Sequence, residues 1–140
     1  MRYLLDTNMV IFAMKGVAPV RAVLEKIPLS DLALSPIVLG ELQHGVEKSQ
    51  YRENNRERLN HLLAGMTLLP LDADTCRYYG SIRTELERRG TPIGANDYWI
   101  AAQALAFGLV LATDNEREFS RVPGLELENW MGVGGHPPSG

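Results

Sequence analysis

The chain of 140 residues has a single cysteine, Cys76, so it can form no internal disulfide, and that usage suits a reducing compartment. Histidine is scarce too, with His44, His61 and His136 scattered along the chain; neither count supports a Cys/His zinc site, which leaves oxygen ligands and a hard cation for any metal. No long apolar run is present. The longest, Ile100 to Ala112, is broken by Gln103 and Gly108 and is too short to span a bilayer. The opening residues lack the basic and apolar regions of a signal peptide, so a soluble, cytoplasmic protein without membrane attachment is expected. Lysine stops at Lys48, and arginine carries most of the positive charge, clustered as Arg52, Arg56, Arg58 and as Arg77, Arg83, Arg88, Arg89. Arginine suits bidentate phosphate contact, but the interleaved Glu53, Glu57, Glu85 and Glu87 equally describe a solvated helix face. A net charge of −3 decides nothing about nucleic acid.

What is present is enough apolar residue, 45%, to build one compact core. Residues 2–5 read as a short buried strand, and Asp6-Thr7-Asn8 supplies cap-type residues before a helix to about Met14. Val20, Val23, Leu24 and Ile27 make a helical stripe, and Leu32-Ala33-Leu34 reads as the next strand. Ser35-Pro36 opens a helix running to about Lys48. Residues 49–58 are compatible with loop or helix, and Met66 to Leu71 reads as a strand, at an edge because of Pro70. Helices are then expected over Asp74–Arg89 and Ala95–Phe107, with a strand over Leu109–Ala112 and a last one around Leu125 and Leu127. Such alternation implies a three-layer α/β/α domain with a mostly parallel central sheet over residues 1–131. Residues 132–140, rich in Gly and Pro, are expected to form a disordered tail.

Four acids stand where apolar residues are expected. Asp6 and Asp114 directly follow strands, the position at which open parallel sheets bind ligands. Glu41 falls in the stripe Ile37, Val38, Leu42, Gly45, and Asp97 heads the stripe Ile100, Ala101, Ala104, Leu105, so both are expected to point inward. Each acid alone could be a cap or a turn former. Together they suggest a carboxylate site that binds divalent cations, which activate water and neutralise a phosphodiester. Thr7, Asn8, Asn96, Asn115 and Glu118 are lesser polar candidates beside them.

At these residues the chain resembles a PIN-domain ribonuclease, specifically the VapC toxins of bacterial toxin-antitoxin pairs. The matching segments are Leu4-Leu5-Asp6-Thr7-Asn8, then Ser35 to Leu42, then Pro92 to Asp97 with Ile100-Ala101-Ala102, and finally Thr113 to Phe119 through Val122-Pro123-Gly124-Leu125 to Trp130. The resemblance implies a PIN-like fold and a homodimeric, Mg²⁺-dependent endoribonuclease, with Mn²⁺ as a substitute, acting on RNA such as tRNA and inhibited by a VapB-type antitoxin. It carries catalytic and metal-binding roles to Asp6, Glu41, Asp97 and a fourth position near Asp114, where Asn115 and Glu118 are the alternatives. Water attack would leave 5′-phosphate and 3′-hydroxyl ends. Two rivals share the first-strand aspartate or the acid pocket: an aspartate-based phosphotransfer enzyme, and a non-catalytic module binding RNA or protein. The first fits poorly, since Asn8 stands where a phosphatase of the haloacid-dehalogenase type has a second Asp, and no lysine follows Lys48. A dimer surface is sought on the helix after Asp74, with Tyr78, Tyr79, Ile82 and Leu86, whose helical spacing equally suits a core.

Overall fold

A computed structural model describes residues 1–132, so the expected tail falls, beyond Gly132, outside the described residues. Among the described residues five strands form one sheet: β1 (Tyr3–Leu5), β2 (Leu32–Leu34), β3 (Thr67–Leu68), β4 (Val110–Ala112) and β5 (Leu127–Glu128). All pairings are parallel, in the order β3-β2-β1-β4-β5. Parallel strands need covering on both faces, and the side chains of β1 and β2 are buried throughout. The order has a functional consequence. From β1 the chain builds outward through β2 and β3, then returns to the other side of β1 for β4 and β5, so the switch point lies beside the carboxyl ends of β1 and β4.

The helices among the described residues are α1 (Thr7–Lys15), α2 (Ala18–Leu24), α3 (Pro36–Glu47), α4 (Arg52–Leu63), α5 (Ala73–Arg88), α6 (Ala95–Phe107) and the short α7 (Glu116–Phe119). Their ends follow the sequence signals. Asp6 caps α1, Ser35 caps α3 through the Ile37 N–H with Pro36 in the first turn, and Asp72 caps α5 through the Thr75 N–H. Gly108 ends α6 at φ 65°, a left-handed turn that a side chain would strain. The undecided stretch after Ser49 becomes helix α4. The strand expected over Met66–Leu71 shortens to Thr67–Leu68, because β3 is an edge and Pro70 has no N–H to continue the ladder, although the Leu69 N–H still reaches the Leu34 carbonyl.

Helices α1 to α4 pack on one another, while α5 lies along α6. Ile82 and Leu86 are buried and belong to the core, and Tyr79 stacks on Trp99 with ring centres 3.9 Å apart. The α5 stripe is therefore partly spent within the subunit. Gln103, fully buried on α6, donates to the Leu69 and Pro70 carbonyls at 3.1 and 2.9 Å, fixing the segment that follows the edge strand.

Candidate active site

The four acids meet. Asp6, Glu41, Asp97 and Asp114, with Thr7, Asn8 and Asn115, line a cleft of about 400 Å³ beside the switch point of the sheet. Asp6 is the deepest of them, 8% exposed. It is fixed at both oxygens, Oδ1 accepting from the Thr7 N–H at 2.8 Å and Oδ2 from the Thr113 hydroxyl at 2.9 Å. Its own N–H donates to the Ala112 carbonyl, continuing the pairing of β1 with β4. Helix capping, the bland reading of Asp6, is thus correct for one oxygen and leaves the other held by the neighbouring strand end.

Glu41 departs from expectation. Val38, Leu42 and Val46 bury the inner face of α3, but Glu41 is exposed on the cleft wall, as Gly45 is exposed further along. The apolar stripe is narrower than the sequence pattern implied, and Glu41 marks its edge. The Thr7 hydroxyl donates to Glu41 Oε1 at 3.1 Å, tying the first turn of α1 to α3. Asn8 similarly approaches Asp114 Oδ1 at 3.5 Å, and Asp114 is half-buried.

Asp97 sits in the first turn of α6, where the helix N-terminus favours negative charge. Glu118 reaches the same place from α7. Its Oε1 accepts from the Gly94 N–H at 2.7 Å and its Oε2 from the Asn115 amide at 2.7 Å. Burial, then the hydrogen bond and charge of Glu118, then the charges of Asp6 and Glu41, push Asp97 up to about 7. Burial also raises Glu118, but the Gly94 and Asn115 donors and its bond with Asp97 pull it below the ordinary glutamate value. The proton of this pair therefore resides on Asp97. Asp6 is raised as well, by burial first, against the lowering effect of Thr113 and Thr7 and with a further push from Glu41 and Asp114.

Sequence reasoning missed two of these supports. Thr113 is fully buried, linking Asp6 to the Asn115 N–H, which donates to its hydroxyl at 3.0 Å. The available signal was a hydroxyl closing an otherwise aliphatic strand just before an acid. Gly94 leaves room: a Cβ there would lie 3.1 Å from Asp97 Oδ2, while its φ of −61° is open to any residue. Asn96 is exposed and does not line the cleft. Glu118 lies behind Asp97 rather than among the lining side chains, so Asp114 is the acid that completes the cleft wall.

Mutually repelling carboxylates in one polar cleft have the donor chemistry for a hard divalent cation. Among the described residues no three acids form a ready-made cage around a single point. That spacing suits a cation held by one or two carboxylates, with water and substrate phosphate supplying its other ligands.

An all-parallel sheet with an acid cleft at its switch point is the architecture of the PIN class, and residues 3–125 match the family model described as PIN domain. The chain is 42% identical to "Ribonuclease VapC2" of Rickettsia felis over 132 residues, covering 93% of this chain and 98% of that protein. It is 38% identical to "tRNA(fMet)-specific endonuclease VapC" of Shigella flexneri over 132 residues, with the same coverage. A crystal structure of DNA-bound VapBC from Salmonella typhimurium superposes with a TM-score of 0.87 at 37% identity, covering 93% of this chain and 98% of that one. The chain belongs to the PIN-domain family, among its VapC ribonucleases. It is thus a phosphodiester-cleaving hydrolase, and the phosphotransfer and non-catalytic readings fall away. PIN-domain nucleases are metal-dependent enzymes. Among the described residues no single helix is long and apolar enough to cross a membrane.

Proposed function

We propose that this protein is a Mg²⁺-dependent endoribonuclease toxin of the cytoplasm, acting as a homodimer on structured RNA such as tRNA and silenced by a VapB-type antitoxin. The observation that carries this reading is the convergence of Asp6, Glu41, Asp97 and Asp114, from four separate segments, on one cleft. Asp6 and Asp97 are the principal metal ligands, and Glu41 and Asp114 complete the acidic wall directly or through water. A bound divalent cation supplies positive charge to the scissile phosphate and makes water a stronger nucleophile. The chain's own contribution is positional. Thr113 and the Thr7 N–H fix both oxygens of Asp6, the Thr7 hydroxyl fixes Glu41, and Glu118 anchors the α6 N-terminus that presents Asp97. Before it can act as a ligand, Asp97 must lose the proton it shares with Glu118.

An antitoxin arginine would pair favourably with this acidic cleft, which gives a physical route to inhibition. VapBC complexes of Rickettsia felis and Salmonella typhimurium, solved bound to DNA, support the expectation of such a partner. The test incubates the purified, antitoxin-free protein with tRNA in Mg²⁺, Mn²⁺ or EDTA, beside folded Asp6→Asn and Asp97→Asn variants. Metal-dependent cleavage lost in both variants, with 5′-phosphate and 3′-hydroxyl ends, is expected. Ends bearing 2′,3′-cyclic phosphate would overturn the hydrolytic mechanism, because they require attack by the RNA's own 2′-hydroxyl.

A further inference from the structure

Beside the acid cleft lies a second recess of about 260 Å³, between α1, α3 and α4, and Glu41 belongs to the walls of both. Its chemistry is opposite to that of the cleft. Ile11, Met14, Leu42, Val46 and Leu59 make it apolar, and Lys15 and Arg58 also line it. These two cations differ from most of the helical arginines. Arg52 and Arg56 pair with Glu47, Arg77 with Asp74, Arg83 with Glu87 and Arg89 with Glu85. The Lys15 ammonium has no hydrogen bond or ion pair among the described residues. Arg58 donates to the Met14 carbonyl and meets no carboxylate there.

We infer that this recess is a nucleobase pocket, receiving the base of a nucleotide that flanks the cleaved bond while Lys15 and Arg58 hold the adjoining phosphates. The inference rests on the ribonuclease reading and adds a specificity site to it. Sites for drug-sized ligands span roughly 300–1,000 Å³, so a recess of this volume suits one unstacked heteroaromatic ring rather than a larger group. Single-stranded RNA is recognised in this way, with the base laid on apolar or aromatic side chains and the phosphates met by lysine and arginine. The shared wall at Glu41 makes a base in the recess a neighbour of a phosphate in the acid cleft. Asn55 lines the recess and donates its amide to the Ser49 hydroxyl at 3.1 Å, which leaves its carbonyl oxygen without a hydrogen bond among the described residues and able to accept from a base amino group.

Gly45 gives the test. It lines the recess, is exposed, and a Cβ added there meets nothing within 4 Å, so a larger side chain starts from open space at the wall of the pocket. A synthetic stem-loop RNA that the wild-type protein cleaves in Mg²⁺ is compared with two versions lacking the base immediately 5′ or 3′ of the cleaved bond. For the wild type, one abasic RNA is expected to be cleaved at least tenfold less efficiently in kcat/KM than the intact RNA. In Gly45→Phe that intact-to-abasic ratio is expected to fall towards one, with Gly45→Ala between, each checked for a cooperative thermal transition at or above the wild-type midpoint, since helix α3 gains by losing a glycine. Gly45→Leu replaces the Phe variant if that one does not fold. Equal cleavage of all three RNAs by the wild type would overturn the inference and leave the ribonuclease reading standing. So would a large ratio that persists in the Gly45 variants, because the missing base would then be read elsewhere on the protein. A folded, metal-loaded protein that cleaves no RNA would remove both.

Discussion

Replacing Asp97 with asparagine should remove activity yet make the metal-free protein more stable at high pH. Asp97 is pushed from its ordinary 3.8 to about 7 by burial and by Glu118, Asp6 and Glu41. For an acid whose folded value is raised, the stabilising contribution is complete below the unfolded value and is lost as pH rises through the folded one. The loss is therefore spread evenly from about pH 4 to about pH 7, where the unfolded acid is ionised and the folded one is not, and it is complete by about pH 8. At about 1.4 kcal/mol per unit, the ceiling is roughly 4 kcal/mol. Glu118 shifts the opposite way through the same shared proton, and the half-buried setting is partly screened, so about 1–2 kcal/mol should survive. In Asp97→Asn the amide still donates to Glu118 but cannot ionise. In EDTA, its midpoint should match the wild type near pH 4 and exceed it by an amount that grows steadily with pH, to roughly 3–8 °C at pH 8. Millimolar Mg²⁺ should shrink that gap by stabilising the wild type selectively. A difference between variant and wild type that is the same at pH 5 and pH 8 in EDTA would refute the electrostatic account of this cleft.

Three further outcomes follow from particular contacts. Thr113→Val keeps the shape of the side chain but removes the donor to Asp6 Oδ2 and the acceptor for the Asn115 N–H, so about 2 kcal/mol of stability should be lost at pH 8, read by urea unfolding, along with at least tenfold in cleavage. Because the lost bond favours ionised Asp6, that penalty should shrink as pH falls and Asp6 takes up its proton; a penalty that grew on acidification would contradict it. Gly94→Ala places a Cβ 3.1 Å from Asp97 Oδ2 at a backbone angle alanine adopts freely, so cleavage should drop several-fold with the unfolding free energy changed by no more than about 1 kcal/mol; full activity would show that Asp97 has slack to move. Gln103→Leu should cost about 2–3 kcal/mol, by leaving the Leu69 and Pro70 carbonyls without their donor, and should accelerate amide hydrogen exchange at Leu69 more than in β1.

The order of elements was legible because each boundary carries its own chemistry. Asp6 and Ser35 cap the helices that follow them, Pro36 opens α3, and Gly108 closes α6 in the left-handed region. The parallel sheet was readable from the aliphatic strands, which cannot face water on either side. Three features were not readable, for identifiable reasons. A short edge strand depends on which neighbour it finds, so β3 stops at Leu68 although the apolar run continues. The stretch after Ser49 has almost no hydrophobic pattern, and α4 is held by Leu59 against its neighbours and by Arg56 against Glu47. Glu41 looked buried because helical spacing tells which residues share a face but not where that face meets solvent.

That last difference bears on how the site works. A site of four buried carboxylates would be hard to fold without its cation, since each charge would lose its hydration. The acids are graded instead, with Asp6 buried, Asp97 and Asp114 half-buried and Glu41 exposed. The deepest one receives two donors, from the Thr7 backbone and the Thr113 hydroxyl, and the next holds a proton against Glu118. Hydrogen bonding and protonation together do for the metal-free protein what a cation does in the loaded one. The chain can therefore fold before metal arrives, and the repulsion left in the cleft becomes binding energy for a divalent ion once Asp97 gives up its proton. Metal affinity should accordingly rise with pH across the range near 7, and titration calorimetry with Mg²⁺ should register proton release whose heat scales with the ionisation enthalpy of the buffer. An affinity independent of pH from 6 to 8, with no proton released, would mean that Asp97 is already ionised in the free protein and that some other group absorbs the repulsion.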